Sequence, residues 1–252
     1  MAAIGDIKKE FDQTPTEDLE TFINRYRDDE RAGVKKIIES AEKKICRAKA
    51  EDERLEKMLV YEKRFGVSYD YICGIDEAGR GPLAGPVVAG AVILPKDLKI
   101  PYLNDSKQLS EKRREELFDI IMSSALAVGT GIVSPDVIDD INILQATYEA
   151  MRQAVAALQP QPQILLNDAV IIPEIHLPQE KIIKGDAKSL SIAAASVIAK
   201  VTRDRMMKAY HELFPEYGFD KHKGYGSKEH IEAIQKFGPC PIHRRSFITH
   251  FI

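Results

Sequence analysis

The 252-residue chain has no tryptophan, only three cysteines and no strong excess of either charge. Cys46, Cys73 and Cys240 are odd in number and lack paired metal-ligand spacing, which excludes a disulfide framework and a zinc ribbon. Cys73, inside an apolar stretch, reads as a small buried residue. The longest apolar run, VVAGAVIL between Pro86 and Pro95, falls far short of the ~18 residues of a membrane span. The opening MAAIGDIKKEFDQ has no basic stretch followed by an apolar one, so no secretory signal is expected and the protein reads as cytoplasmic. A net charge of −3 and a pI near 6.1 exclude a surface that attracts polyanions everywhere. Any contact with nucleic acid must rest on a local basic patch. The histidines show no zinc-helix spacing and read as surface or packing residues.

What is present changes texture near residue 69. Residues 1–69 carry both charges densely and read as a helical N-terminal extension. TPTEDLETFINRY opens with Thr14, Pro15 and Glu17 in capping-box order and sets Leu19, Phe22, Ile23 and Tyr26 on one face. A second stripe runs from Val34 to Leu59 and closes at Phe65-Gly66, which gives a helical pair. Lys35, Lys36, Lys43, Lys44 and Arg47 cluster there and could grip a substrate, and the apolar stripe could dock a partner, but packing on the catalytic domain is the expected role.

Residues 70–252 alternate apolar bursts with amphipathic runs. YICGID, PVVAGAVIL, LAVGTGIVS and QILLND read as strands. Helices are expected after Ser110 as cap, over INILQATYEAMRQAVAAL, and over SLSIAAASVIAKVTRDRMMKAYHELF. In the second of these, Ile141, Leu144, Tyr148, Met151, Val155 and Leu158 are expected to face the core. The fold class is α/β, a mixed central sheet flanked by helices.

GIDEAGRGPLAG, residues 74–85, places two carboxylates before a glycine-rich loop. A P-loop would close on Gly-Lys-Ser/Thr, and none follows. The dinucleotide fingerprint needs Gly-x-Gly-x-x-Gly opening a helix, whereas Gly79, Gly81 and Gly85 are one residue too wide and lead into a strand. What remains is a strand ending in Asp76 and Glu77, a turn and a second strand. Alternate strand side chains face opposite sides, so the two acids share a site if the chain turns at Glu77. Such a pair alone is more often a solvated turn. Two further acids alter that balance. Asp168 ends the apolar strand ILLND, where an acid is desolvated unless a cation or donor meets it. Asp186, in IIKGDAKS, stands at the entrance of the long helix, where it could also serve as a cap. Four carboxylates gathered at one sheet edge suit a hard cation such as Mg²⁺ or Mn²⁺.

In order, GIDEAGRGPLAGPVVAGAVIL, NDSKQLSEKRREEL, LLNDA, KGDAKSLSIAAASVIAKVTRDR and HKGYGSKEH resemble the blocks of ribonuclease HII across residues 70–252. Arg80 separates this resemblance from the sister family, ribonuclease HIII. The resemblance implies a ribonuclease H-like fold. It implies an endoribonuclease that hydrolyses the RNA strand of RNA–DNA hybrids and cuts 5′ to single ribonucleotides in duplex DNA. Asp76, Glu77, Asp168 and Asp186 resemble the catalytic, metal-binding acids of that family. With two divalent ions, Mn²⁺ or Mg²⁺, they would support in-line hydrolysis that leaves 5′-phosphate and 3′-hydroxyl ends. Gly79, Arg80 and Gly81 resemble the loop that reads the 2′-hydroxyl, and Tyr225 resembles the tyrosine that stacks on the following sugar. Asn167 stands where the family more often has an aliphatic residue. A one-residue slip would bring it into the site in place of Asp168.

Lys107, inside NDSKQLS, is the lysine expected to touch substrate phosphate, with Lys184, Ser189 and Lys223 as weaker candidates. HRRSF forms a basic patch for the duplex backbone. The expected partners are RNA–DNA hybrid and ribonucleotide-containing DNA duplex, with no membrane, and the chain is expected to be a monomer. No motif identifies a replication or repair partner. The rival readings are a ribonuclease HIII-like nuclease of different substrate choice and a non-catalytic nucleic-acid scaffold. The scaffold gains nothing from clustered carboxylates.

Overall fold

The computed structural model describes residues 2–251, which form two compact units divided between Lys57 and Met58. The first unit contains α1 (Ile4–Gln13), α2 (Leu19–Tyr26) and nearly all of α3 (Ala32–Met58). Their apolar stripes meet around Ile7, Leu19, Phe22, Ile23, Val34 and Ala41. Three helices thus replace the expected pair, and the capping box does not form. Thr14 instead donates its hydroxyl back to the Glu10 carbonyl at 2.7 Å and closes α1, while a 3₁₀ turn over Thr16–Asp18 leads into α2. A threonine hydroxyl readily makes this backward bond when the carbonyl four residues earlier has lost its helical partner.

In the second unit, α4 (Val60–Gly66) packs Tyr61 and Phe65 against Ile72, Ile164 and Leu166. That packing is why the division falls upstream of residue 69, where the texture of the sequence changes. The sheet has five strands: β1 (Ile72–Ala78), β2 (Val87–Ile93), β3 (Ala127–Val133), β4 (Ile164–Asp168) and β5 (Gln179–Ile182). Their order is β3-β2-β1-β4-β5. β1, β2 and β3 run antiparallel, and β4 and β5 run parallel to β1's direction, so the sheet is mixed as expected. β5 was not legible, because QEKI has one apolar residue in four.

The helices that follow are α5 (Glu111–Ser124), α6 (Pro135–Ala156), α7 (Leu190–Leu213), α8 (Phe219–His222), α9 (Lys228–Phe237) and α10 (Arg245–Ile248). Ser110 caps α5 by accepting from the Arg113 amide, as expected. α6 and α7 cover opposite faces of the sheet, and glycines in the strands set how closely they approach. A methyl at Gly90 would stand 2.4 Å from the Ala195 carbonyl oxygen on α7, and one at Gly131 would stand 1.8 Å from the Ala150 carbonyl oxygen on α6. Gly131→Ala is therefore expected to cost roughly 2–3 kcal/mol, read as a lower urea midpoint at unchanged slope. An unshifted midpoint would show that α6 can stand off the sheet freely.

The near-heptad reading of α6 holds only in its second half. Asn142 breaks the helix with φ 66°, and its side-chain oxygen caps the restarted helix at the Leu144 and Gln145 amides. Met151, Val155 and Leu158 are buried, whereas Ile141 and Leu144, flanking the break, are 38% and 40% exposed.

Candidate active site

The site forms where β1 and β4 end side by side. Ile75 pairs with Asn167, so the next residues, Asp76 and Asp168, stand level and on the same face of the parallel pair. That face is the one covered by α7, because Gly74 and Gly90 on it meet the α7 backbone. Asn167 faces the other way. It is fully buried and donates to the Gln179 side chain at 2.8 Å, so the feared slip does not occur. β1 also continues straight through Glu77 to Ala78, and the turn begins at Gly79, later than expected. Glu77 is still near enough to raise the Asp76 carboxyl, after burial, and its own carboxylate is 3.3 Å from the Arg80 guanidinium.

Asp76 and Asp186 are buried, and Asp168 and Glu77 are partly buried. Asp186 lies in a 3₁₀ turn, Gly185–Ala187, just before α7. It does not cap that helix, since Ser189 does so by accepting from the Ile192 amide. Asp168 Oδ1 accepts from the Gly185 amide at 2.7 Å, and Asp76 Oδ1 accepts from the Glu77 amide at 2.8 Å. Burial pushes the Asp76 carboxyl well above the usual range, and the neighbouring Glu77 and Asp168 push it further. Burial also raises Glu77, against the pull of Arg80. Asp186 is raised by burial, then by Asp105 and Asp168. The acids therefore feel one another across the site.

Asp105 is a member of this acidic group that sequence reasoning missed. It lies in the NDSKQLS block, where its carboxylate accepts from the Lys107 amide at 2.9 Å. Nothing in that block separates Asp105 from a solvated acid, because its approach to Asp186 is made only in the tertiary structure. Burial would lower the Lys107 ammonium, yet the summed attraction of Asp76, Asp105, Asp186 and Asp168 raises it instead. Lys107 is exposed beside the acids, as a phosphate contact would be. Ser196 on α7 was also missed. It bonds Ser106 at 2.8 Å, tying helix to loop, and its hydroxyl offsets part of the rise that burial gives the Asp76 carboxyl.

The donor set fits a hard divalent cation, because every candidate ligand is a carboxylate oxygen. Among the described residues, no three His, Cys, Asp or Glu side chains are already drawn together as a cage. Like charges separate when no cation offsets them, so a bound ion would have to draw these acids inward.

Two buried arginines shape the glycine loop. Arg244 donates to the carbonyls of Gly79, Arg80 and Gly85, and Arg203 to those of Ala84, Pro86 and Lys223. Arg244 therefore does not belong to a surface patch: it is fully buried, and only Arg245 of that pair is exposed. A trans peptide points its N–H opposite its C=O, so the amides of Arg80 and Gly81 turn away from Arg244 towards the open side. Gly79, with φ 97° and the Arg203 side chain where a Cβ would sit, admits no other residue.

Tyr225 is 47% exposed, and its backbone is held from behind. The Tyr225 carbonyl can only accept, so His230 donates from Nδ1 at 2.9 Å and must accept at Nε2 from His243, 3.0 Å away. His243 Nδ1 then accepts from the Cys240 amide. Burial pulls both imidazoles down to about 4, which keeps them neutral at physiological pH. These two histidines are packing residues, as expected, but with fixed tautomers. Lys223 is buried with its ammonium on the Asp220 carbonyl, and Ser189 is buried too, so neither offers a phosphate contact; Lys184 is exposed.

The sequence profile described as Ribonuclease HII matches residues 73–250, and one described as Ribonuclease HII N-terminal domain matches residues 3–66. The chain belongs to the ribonuclease HII family. Ribonuclease HII of Lachnoclostridium phytofermentans is 56% identical over 247 residues, covering 98% of this chain and 97% of that one. The Clostridioides difficile enzyme is 49% identical over 251 residues, covering 99% and 98%. Among solved structures, ribonuclease H2 of Pyrococcus horikoshii superposes with a TM-score of 0.58 at 30% identity, over 70% of this chain and 93% of that one. The Archaeoglobus fulgidus enzyme, solved as a PCNA:RNase HII complex, gives 0.61 at 28% identity, over 71% and 96%. Membership makes the chain a metal-dependent endoribonuclease with a ribonuclease H-type fold. Among the described residues, no helix is long and apolar enough to cross a membrane.

Proposed function

We propose that the chain cleaves the RNA strand of RNA–DNA hybrids and the 5′ side of single ribonucleotides in duplex DNA, with Asp76, Glu77, Asp168 and Asp186 as its metal-binding acids. The level placement of Asp76 and Asp168 on one face, with Asp186 electrostatically coupled to both Asp168 and Lys107, is the observation that carries this reading. Divalent ions, Mg²⁺ or Mn²⁺, would supply Lewis-acid activation of the attacking water and charge stabilisation at the leaving 3′ oxygen. The chain's own residues bind and orient. Lys107 meets a phosphate beside the acids. The outward amides of Arg80 and Gly81 reach a 2′-hydroxyl, the one group that separates ribose from deoxyribose. Tyr225 offers an exposed ring on which the next sugar packs, with its backbone held by His230.

The test offers three labelled duplexes with Mg²⁺ or Mn²⁺: one embedded ribonucleotide, a continuous RNA–DNA hybrid and all-DNA. The first two are expected to be cut and the third left intact, with 5′-phosphate ends. Equal cutting of all-DNA would end the reading. A hybrid-only pattern would favour the ribonuclease HIII-like alternative. A clamp partner like the one solved with the Archaeoglobus enzyme is a proposal that size-exclusion of a mixture with the cognate sliding clamp would test.

A further inference from the structure

Glu62 lies on α4, outside every stretch assigned a role above. Its Oε1 accepts three hydrogen bonds from the start of α7: Ser189 Oγ at 2.6 Å, the Ser191 amide at 3.0 Å and Ser191 Oγ at 2.8 Å. The carboxylate thus faces the positive end of a 24-residue helix. Ser189 already caps that helix through the Ile192 amide, so Glu62 is a second anchor rather than the cap.

The anchored turn leads directly to the acids. The Ser189 amide donates to the Gly185 carbonyl at 2.8 Å, and the Gly185 amide donates to Asp168 Oδ1 at 2.7 Å. Asp186 sits between those two residues in the chain. There is little slack at this point, since a methyl on Gly185 would stand 2.6 Å from Ile192 Cδ1. A continuous set of bonds therefore runs from Glu62 through Ser189 and Gly185 to two of the four carboxylates.

We propose that Glu62 is a positioning residue that holds the first turn of α7 and thereby sets the spacing of Asp168 and Asp186 for a divalent ion. This rests on reading those acids as the metal ligands. Mutually repelling carboxylates drift apart without an ion, so a stiff scaffold must keep them within the short distance that a bound ion can close. A charge-assisted anchor holds its donors more stiffly than a neutral one. Glu62 does not touch the substrate.

The test measures Mn²⁺ binding by titration calorimetry without nucleic acid, together with kcat and KM on a duplex bearing one ribonucleotide. Glu62→Ala is expected to weaken Mn²⁺ about tenfold and lower kcat by a similar factor, with KM changed less than about twofold. Glu62→Gln keeps an accepting oxygen and is expected to restore most of both. Glu62 Oε2 is buried without a hydrogen-bond partner, and the residue lines an open cavity of about 270 Å³ with Leu59, Ile72 and Leu94, so truncation enlarges that cavity. Should Glu62→Ala nevertheless fail to fold, Ser191→Ala removes one donor and is expected to weaken Mn²⁺ about two- to fivefold in the same direction. Wild-type Mn²⁺ affinity and kcat in the folded variant would overturn the proposal, even if its melting temperature fell. Asp186→Asn is measured in parallel. Unchanged Mn²⁺ binding there would sink the metal-site reading and this proposal with it, whereas loss there alone overturns only the role of Glu62.

Discussion

Asp76→Asn is expected to lower kcat on a single-ribonucleotide duplex by at least about a thousandfold, because in the proposed function it removes a metal-binding charge worth several kcal/mol in the transition state. Duplex affinity is expected to stay within a few-fold, since phosphate is held by cations and not by this buried acid. The same substitution should act on stability in the opposite direction. A carboxyl whose folded-state pKa is raised favours folding only at low pH, and that contribution is lost as pH climbs through the raised value. Burial, Glu77 and Asp168 raise Asp76, so the metal-free wild type is weakened at neutral pH and Asn relieves it. In chelator, Asp76→Asn should therefore melt a few degrees (~3 °C) above wild type, with the gain shrinking when Mg²⁺ or Mn²⁺ is added. Equal cleavage by the two proteins would overturn the catalytic assignment. An unchanged melting temperature in chelator would show that Asp76 is better solvated than its burial indicates.

The largest effect on stability is expected at the two arginines beneath the glycine loop. Arg203 and Arg244 are 1% and 0% exposed, and each donates to three backbone carbonyls. Burial lowers their pKa values to about 10 and about 9, so both stay charged at neutral pH. Replacing either by Met leaves three buried carbonyls without donors, which is expected to cost roughly 3–5 kcal/mol and about 10 °C of melting temperature. Lysine should not rescue, because one ammonium cannot reproduce the planar fork. The two variants should differ in function. Arg244 holds the Gly79 and Arg80 carbonyls, so Arg244→Met should also erode discrimination between ribonucleotide and all-DNA duplexes at low temperature, where it remains folded. A melting temperature within about 2 °C of wild type would show that water replaces the guanidinium.

Much of the site was legible because its chemistry sits at strand and helix ends that local pattern marks. ILLND announces a buried strand closing on an acid, and DEAGRG announces a turn between strands. The acids at 76, 168 and 186 could be found this way, each from its own neighbourhood. Asp105, Ser196 and Glu62 could not, because nothing in NDSKQ, AAASV or VYEKR distinguishes a residue that faces the site from a solvated or packing one. HRRSF misled for a similar reason. Two adjacent arginines look alike in the chain, and only tertiary burial separates Arg244 under the loop from Arg245 in solvent.

The order of the first four strands and of the helices α5, α6 and α7 among them, the absence of a membrane helix among the described residues and the presence of four strand-end and helix-entry acids follow from composition and periodicity alone. These are local properties, set by which residues can be buried over a few turns or a few strand residues. The register that levels Asp76 with Asp168, the face that Asn167 takes and the arginine frame under the loop were decided only when distant segments met. The reason is physical: pairing, burial and satisfaction of carbonyls depend on partners some tens to more than a hundred residues away, and no window along the chain contains both members.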